Sequence, residues 1–164
     1  MFNRKGYLMS VTRLSAAVLV TLALGTGIAS AQDAAIKGAI TARQSVMRLY
    51  AFNLGQLGAM AQGKMAYDAD TASAAASNLA KLSTLNGRAM WVPGSDNGAV
   101  EGTRALPAIW AEGSDIGAKA AALREAAAAM EAAAGGGLEG LQGAMGALGG
   151  ACGACHKAYR APDQ

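Results

Sequence analysis

Apolar residues recur every three or four positions along four stretches of this 164-residue chain, and no stretch alternates with a period of two. The first spacing is that of a helix face, the second that of a strand. The first predicted helix covers about 34–63, with Ile36, Ile40, Arg43, Met47, Tyr50, Leu54, Leu57 and Ala61 on one face. One member of that inward face is an arginine, an odd choice for a core. The second covers 69–86, with Asp68 or Asp70 as N-cap, Ala72, Ala75, Leu79 and Leu82 inward, and Asn86-Gly87 as a stop. The third, 114–134, aligns Ile116, Ala120, Leu123, Ala127, Met130 and Ala134 and ends at the glycines 135–137. The fourth, 138–160, carries Leu138, Leu141, Met145, Leu148, Cys152, Cys155 and Tyr159, so the cysteines continue the packing seam. Beside that seam runs a row of Gly140, Gly143, Gly146, Gly149 and Gly153. Glycine weakens a helix. Such a row reads either as close approach by another helix or as room for a flat, bulky group.

Between the second and third helices lies an irregular stretch, 88–113, holding Pro93, Pro107 and both tryptophans, Trp91 and Trp110. A loop of that length is usually functional or draped over something. The chain is rich in Ala and Leu and poor in β-branched and aromatic residues, which favours helix over sheet. The expectation is an all-α fold, an antiparallel four-helix bundle with one long crossover loop. The seven-residue pattern suits shallow left-handed crossings.

The N-terminus changes the domain reading. Residues 1–31 are predicted to be a cleaved signal peptide: Arg4, Lys5 and Arg13, no acid, an apolar run at 14–24, and Ala29-Ser30-Ala31 as the cleavage motif. The apolar run is short for a membrane span. Residues 32–164 then form one exported domain. The leader holds three of the fourteen basic residues and none of the eleven acids, so the mature chain is formally neutral. Neither nucleic acid nor an anionic membrane is expected as a partner, and no membrane association is expected once the leader is removed.

Export permits disulfides. The only two cysteines, Cys152 and Cys155, would close almost no loop, so a structural staple does not explain them. They stand at i and i+3 of the predicted helix, with the only histidine, His156, at i+4. Two thiols on one face can add across the two vinyl groups of a haem, and the next residue then offers an imidazole to the iron. C-x-x-C-H is the attachment signature of c-type haem. A zinc site would need a fourth ligand from carboxylates. A dithiol oxidoreductase would place C-x-x-C after a strand, and none precedes Cys152. Met47 is chemically able to ligate haem iron and equally able to fill a core.

The chain resembles the cytochrome c′ family of class II c-type cytochromes over essentially its whole mature length. The resemblance lies in "CGACHKAYR" at the end, "ARQSVM" in the first helix, "MWVPGSDNG" in the loop and "TRALPAIW" before the third helix. It implies one covalent haem c on Cys152 and Cys155, with His156 as the axial iron ligand. It implies Arg43 and Gln44 near the haem edge, Arg43 against a propionate, and Arg160 over the proximal face. Two plainer alternatives stay open: Arg43 snorkelling out of the core, and Arg160 as a solvated cation. Met47 takes the position facing the sixth site. If it only packs, the iron is open to NO or CO. If it ligates, the protein is a six-coordinate low-spin electron carrier. With the export leader, the resemblance implies a periplasmic protein that transfers electrons, binds NO or CO, or both, and is not an enzyme; the family often forms homodimers through its first two helices. No catalytic residue is expected, and the redox partner is not readable from the sequence.

Overall fold

The computed structural model describes the backbone of residues 5–162 and the side chains of residues 31–162. The signal peptide expected over 1–31 lies almost wholly outside the described side chains. Among the described residues there are four helices: α1 (Lys5–Ala61), α2 (Ala69–Ser83), α3 (Ile116–Ala133) and α4 (Leu138–Tyr159). A 3₁₀ turn, Pro107–Trp110, lies in the crossover. The helix α1 starts well before the predicted residue 34, because no proline interrupts the Ala- and Leu-rich stretch ahead of it.

From Ala39 onward the four helices form one bundle, in which α3 packs against both α2 and α4. Gly63, at φ 69°, turns the chain out of α1, a conformation that favours glycine. Asp68 caps α2 as expected: its carboxylate accepts the Thr71 N–H at 2.7 Å. The helix α2 ends three residues earlier than predicted. The Ser83 and Thr84 hydroxyls donate to the Ala80 and Lys81 carbonyls at 2.6 and 2.8 Å, and such local bonds compete with a continuing helix.

The main core joins Leu57 and Met60 of α1, Leu79 of α2, Met130 of α3, and Leu141 and Leu148 of α4, all of them buried. Alanines between them, such as Ala72, Ala76 and Ala127, let the helices approach closely. A second, smaller cluster gathers Ala105, Ile109 and Tyr159, with Trp91, Trp110, Ile116 and Cys155 packed against it. The core is therefore in two pieces. Three positions expected to face inward are exposed instead: Met47, Ala120 and Leu138. Leu138 is the first residue of α4, and since helical side chains lean toward the N-terminus it has no preceding turn to pack over.

The glycine row of α4 is mostly open. A Cβ at Gly143, Gly146, Gly149 or Gly153 would meet nothing within 4 Å, whereas at Gly140 it would lie 2.9 Å from the Ala133 carbonyl oxygen. Close helix packing explains Gly140 alone.

Candidate functional site

The last two turns of α4 carry Cys152, Cys155 and His156, each half-buried, and neither thiol is in a disulfide. Burial raises both thiol pKa values, and for Cys155 the neighbouring Cys152 adds to it. His156 is shifted the other way, first by burial and then by the positive charges of Arg160 and Arg104. Its imidazole is therefore neutral at pH 7, with a lone pair available to a metal. Tyr50 of α1 stands close enough to Cys152 to feel its charge. Burial, then Cys152, pushes the phenol up to about 12. Among the described residues no three His, Cys, Asp or Glu side chains converge as a set that could hold a bare metal ion.

The crossover loop grips the end of α4. Ala105 pairs antiparallel with Arg160. The Leu106 N–H donates to the Tyr159 carbonyl at 3.0 Å, and the Ala161 N–H to the Arg104 carbonyl at 2.8 Å. The Tyr159 hydroxyl donates to Asp115 Oδ1 at 2.6 Å and accepts the Asp115 N–H at 2.9 Å. That hydrogen bond, more than any other cause, holds the Asp115 carboxyl below its ordinary value. The side chain of Arg160 is exposed, and its charge reaches His156.

Arg43 does not snorkel. It is 4% exposed and donates to Ser95 Oγ at 2.6 Å, the Ser95 carbonyl, Thr103 Oγ1 at 2.7 Å and the Met90 carbonyl at 3.4 Å. The Trp91 ring lies 5.1 Å from its guanidinium carbon. All four acceptors are uncharged, and burial lowers the arginine's pKa. Gln44 donates to the Gly102 carbonyl at 2.7 Å. Met47, one turn further along α1, is 41% exposed, so it is not a filler of the protein core.

A groove of about 510 Å³ opens between α1 and α4, lined by Ala51, Leu54, Gly58, Met145 and Gly149 together with the polar Gln62 and Lys64. Ala51 and Gly149 stand one turn from Met47 and Cys152. These features fit a haem: two unbonded thiols one turn apart, a neutral imidazole beside them, and an open glycine face. An uncovered methionine and a buried cation whose hydrogen-bond acceptors are all uncharged complete the set. Sequence reasoning picked out the thiols, His156, Arg43, Gln44, Met47 and Arg160. It passed over Ser95, Thr103 and Arg104, whose role depends on contacts about fifty residues away in the chain.

The sequence model described as Cytochrome C′ matches residues 38–160. The chain belongs to the cytochrome c′ family. Proteins of this family carry one covalently attached haem c with its iron, and their fold is the four-helix bundle seen here. Over 148 residues the chain is 45% identical to cytochrome c-554 of Cereibacter sphaeroides, covering 90% of this chain and 97% of that protein. The solved cytochrome c′ from Rhodobacter Spheriodes aligns at a TM-score of 0.75 and 39% identity, covering 78% of this chain and 98% of its own. A ferrous cytochrome c prime variant from Alcaligenes xylosoxidans with bound NO aligns at 0.67 and 31% identity, covering 78% and 97%. Cytochrome c′ membership accounts for the coincidence of both cysteines and the histidine within one turn.

Proposed function

We propose that residues 32–164 are an exported, periplasmic monohaem cytochrome that carries electrons and binds NO or CO. Residues 1–31 are its cleaved leader. Cys152 and Cys155 hold the haem through thioethers, and His156 is the axial ligand on the proximal side. Arg43 and Gln44 lie at the haem edge, Arg43 supplying the positive charge that a propionate answers. Arg160 stands on the proximal side and Met47 on the distal side. The observation that carries this reading is the set of two half-buried thiols and an imidazole on one turn of α4, beside an open glycine face.

The haem iron supplies the one-electron couple and the site for a diatomic gas. The chain's own residues do the rest. Burial keeps the two thiols protonated until they are used. The neutral His156 imidazole donates its lone pair without first losing a proton. With a haem bound, Met47 would lie on the side away from His156, where an apolar surround would offer no donor to hold O₂ and a movable Met47 would leave room for a small neutral gas.

A second reading, Met47 as sixth ligand of a low-spin electron carrier, is favoured by one observation. Leu57 and Met60 on the same helix are 0% and 1% exposed, whereas Met47 is 41% exposed. Its thioether is left for something other than the protein core. The dithiol reading keeps little support, since the thiols are raised in pKa by burial and a redox-active thiol needs the opposite. A homodimer through the first two helices is the arrangement the family resemblance suggests, and Leu49 and Phe52 of α1 and Leu85 just past α2 are exposed.

The optical spectrum of the mature protein, oxidised, reduced, and reduced under CO, is the test. A broad high-spin reduced spectrum that CO sharpens supports Met47 as a movable cover. Sharp low-spin bands indifferent to CO make it a ligand. No haem absorbance, in a host able to mature c-type cytochromes, would sink both readings.

A further inference from the structure

Residues 102–106 of the crossover loop are bonded on one side to α1 and on the other to the chain just past α4. Towards α1, the Gly102 carbonyl accepts from Gln44 Nε2 at 2.7 Å and Thr103 Oγ1 accepts from Arg43 Nη2 at 2.7 Å. Towards α4, the Arg104 carbonyl accepts the Ala161 N–H at 2.8 Å, and the Leu106 N–H donates to the Tyr159 carbonyl at 3.0 Å. Ala105 pairs antiparallel with Arg160. The Arg104 side chain adds Nε and Nη2 to the Ala161 carbonyl at 2.8 and 2.6 Å. Thr103 Oγ1 also accepts the Ala105 N–H at 3.2 Å, so one hydroxyl links the two sets of bonds.

The two anchor points sit beside the two axial positions of the proposed site. Met47 is one helical turn beyond Arg43, and Arg160 is one turn beyond His156. Past the turn at Gly102, residues 103–106 contain no further turn, and such a stretch has little slack to absorb a shift. Bonds to a charged donor such as Arg43 or Arg104 are also stronger than neutral ones.

We propose that residues 102–106 form a positioning strap, which transmits a shift of the α1 turn carrying Arg43 and Met47 to the α4 turn carrying His156 and Arg160. Thr103 and Arg104 are its positioning residues, and neither touches the iron. The inference rests on the reading of His156 and Met47 as the residues of the two axial sides. Mere anchoring of a loop would give two local effects. A strap gives effects that cross from one side to the other.

The test uses the mature holoprotein and two variants. Thr103→Val keeps the side chain's shape and removes the hydroxyl that meets Arg43. Arg104→Met removes the guanidinium bonds to Ala161. Thr103→Ser serves as the rescue. Amide hydrogen exchange at Ala161 and the hyperfine-shifted NMR lines of the His156 ring and the Met47 methyl are read in the ferric state. The strap predicts that T103V, which removes the part-buried bonds of Thr103 Oγ1 to Arg43 and to the Ala105 N–H, speeds exchange at Ala161 about five-fold. It also predicts a moved His156 line, with T103S restoring both, and a moved Met47 line in R104M. The double variant should show less than the product of the single effects. Wild-type exchange at Ala161 and an unmoved His156 line in T103V would overturn the strap. Absence of any shifted His156 line in the wild type would overturn the ligand reading instead. The Ala161 exchange in T103V would still decide the strap.

Discussion

Replacing Arg43 with methionine tests the least expected residue of the bundle. The guanidinium is 4% exposed and makes three short bonds, to Ser95 Oγ, the Ser95 carbonyl and Thr103 Oγ1, and a longer one to the Met90 carbonyl. Hydrogen bonds to a charged donor are worth about 1.5–3 kcal/mol each. The gross loss is then roughly 5–9 kcal/mol for the three short bonds. Methionine no longer has to be desolvated as an ion, and this offsets part of the loss. The Ser95 carbonyl is left buried without its donor, which adds about 1–3 kcal/mol. The net expectation is about 3–5 kcal/mol, a large share of a typical domain's total stability. In urea, with a slope of about 1–3 kcal/mol per molar, the midpoint should fall by roughly 2 M. The assay is equilibrium urea unfolding of R43M and wild type, both as holoprotein, followed by helical circular dichroism. A loss under about 1 kcal/mol would refute the reasoning, because it would mean that the loop acceptors are satisfied by water once the arginine is gone. Arg43→Lys should recover little, since one ammonium cannot reach acceptors spread around a planar fork.

Leu148→Ala, at a position 1% exposed in the main core, should cost about 3–4 kcal/mol in the same assay while leaving the haem spectrum unchanged. Gly146→Ala should stabilise the haem-free chain by about 0.5–1 kcal/mol, because no polypeptide atom lies within 4 Å of its new methyl, and should lose that gain in the holoprotein. Gly140→Ala should destabilise it, because its methyl would press on the Ala133 carbonyl, and thermal melts of the pair would tell. Tyr159→Phe removes the hydrogen bond that lowers the Asp115 pKa. A depressed carboxyl stabilises the fold above its unfolded value of about 4 and loses that contribution as pH falls through the folded value. Acid unfolding curves of wild type and Y159F should therefore converge at the acid end and separate above it; parallel curves would remove Asp115 from the account. Phe52→Glu on the α1–α2 face should turn a dimer into a monomer in sedimentation velocity. A wild type already monomeric at high micromolar concentration would end that reading.

The helices were legible because their faces are written locally. Spacing of three and four residues marked Leu57, Met130, Leu141 and Leu148, and all four are buried. The turn proposed to hold the haem stood out for the same reason: Cys152, Cys155 and His156 lie within five residues of one another, and a helix alone brings them together. Helix ends were less legible. Whether α2 stops at Ser83 or runs on to Asn86 depends on which carbonyls the Ser83 and Thr84 hydroxyls take, a choice that spacing does not encode. The loop was the least legible. Arg43 finds Ser95 and Thr103 across fifty-two and sixty residues, and nothing periodic in 88–113 announces those acceptors.

The inward positions left uncovered carry a further point. Met47 and Ala120 follow the apolar spacing of α1 and α3 and yet are not covered by the polypeptide. A spacing rule reports which face of a helix points inward, not what fills the space it faces. The main core and the cluster around Tyr159 are closed by side chains alone. Between the far end of the bundle and that cluster, α4 presents glycines with no neighbour within 4 Å. A chain selected to pack only against itself would gain about 0.5–1 kcal/mol for each such glycine replaced by alanine. The glycines make sense if the hydrophobic core of this family is completed by its haem c. On that account the cofactor is part of the fold as well as of the chemistry, and attachment through two thioethers adds cohesion that the small residues of α4 do not supply.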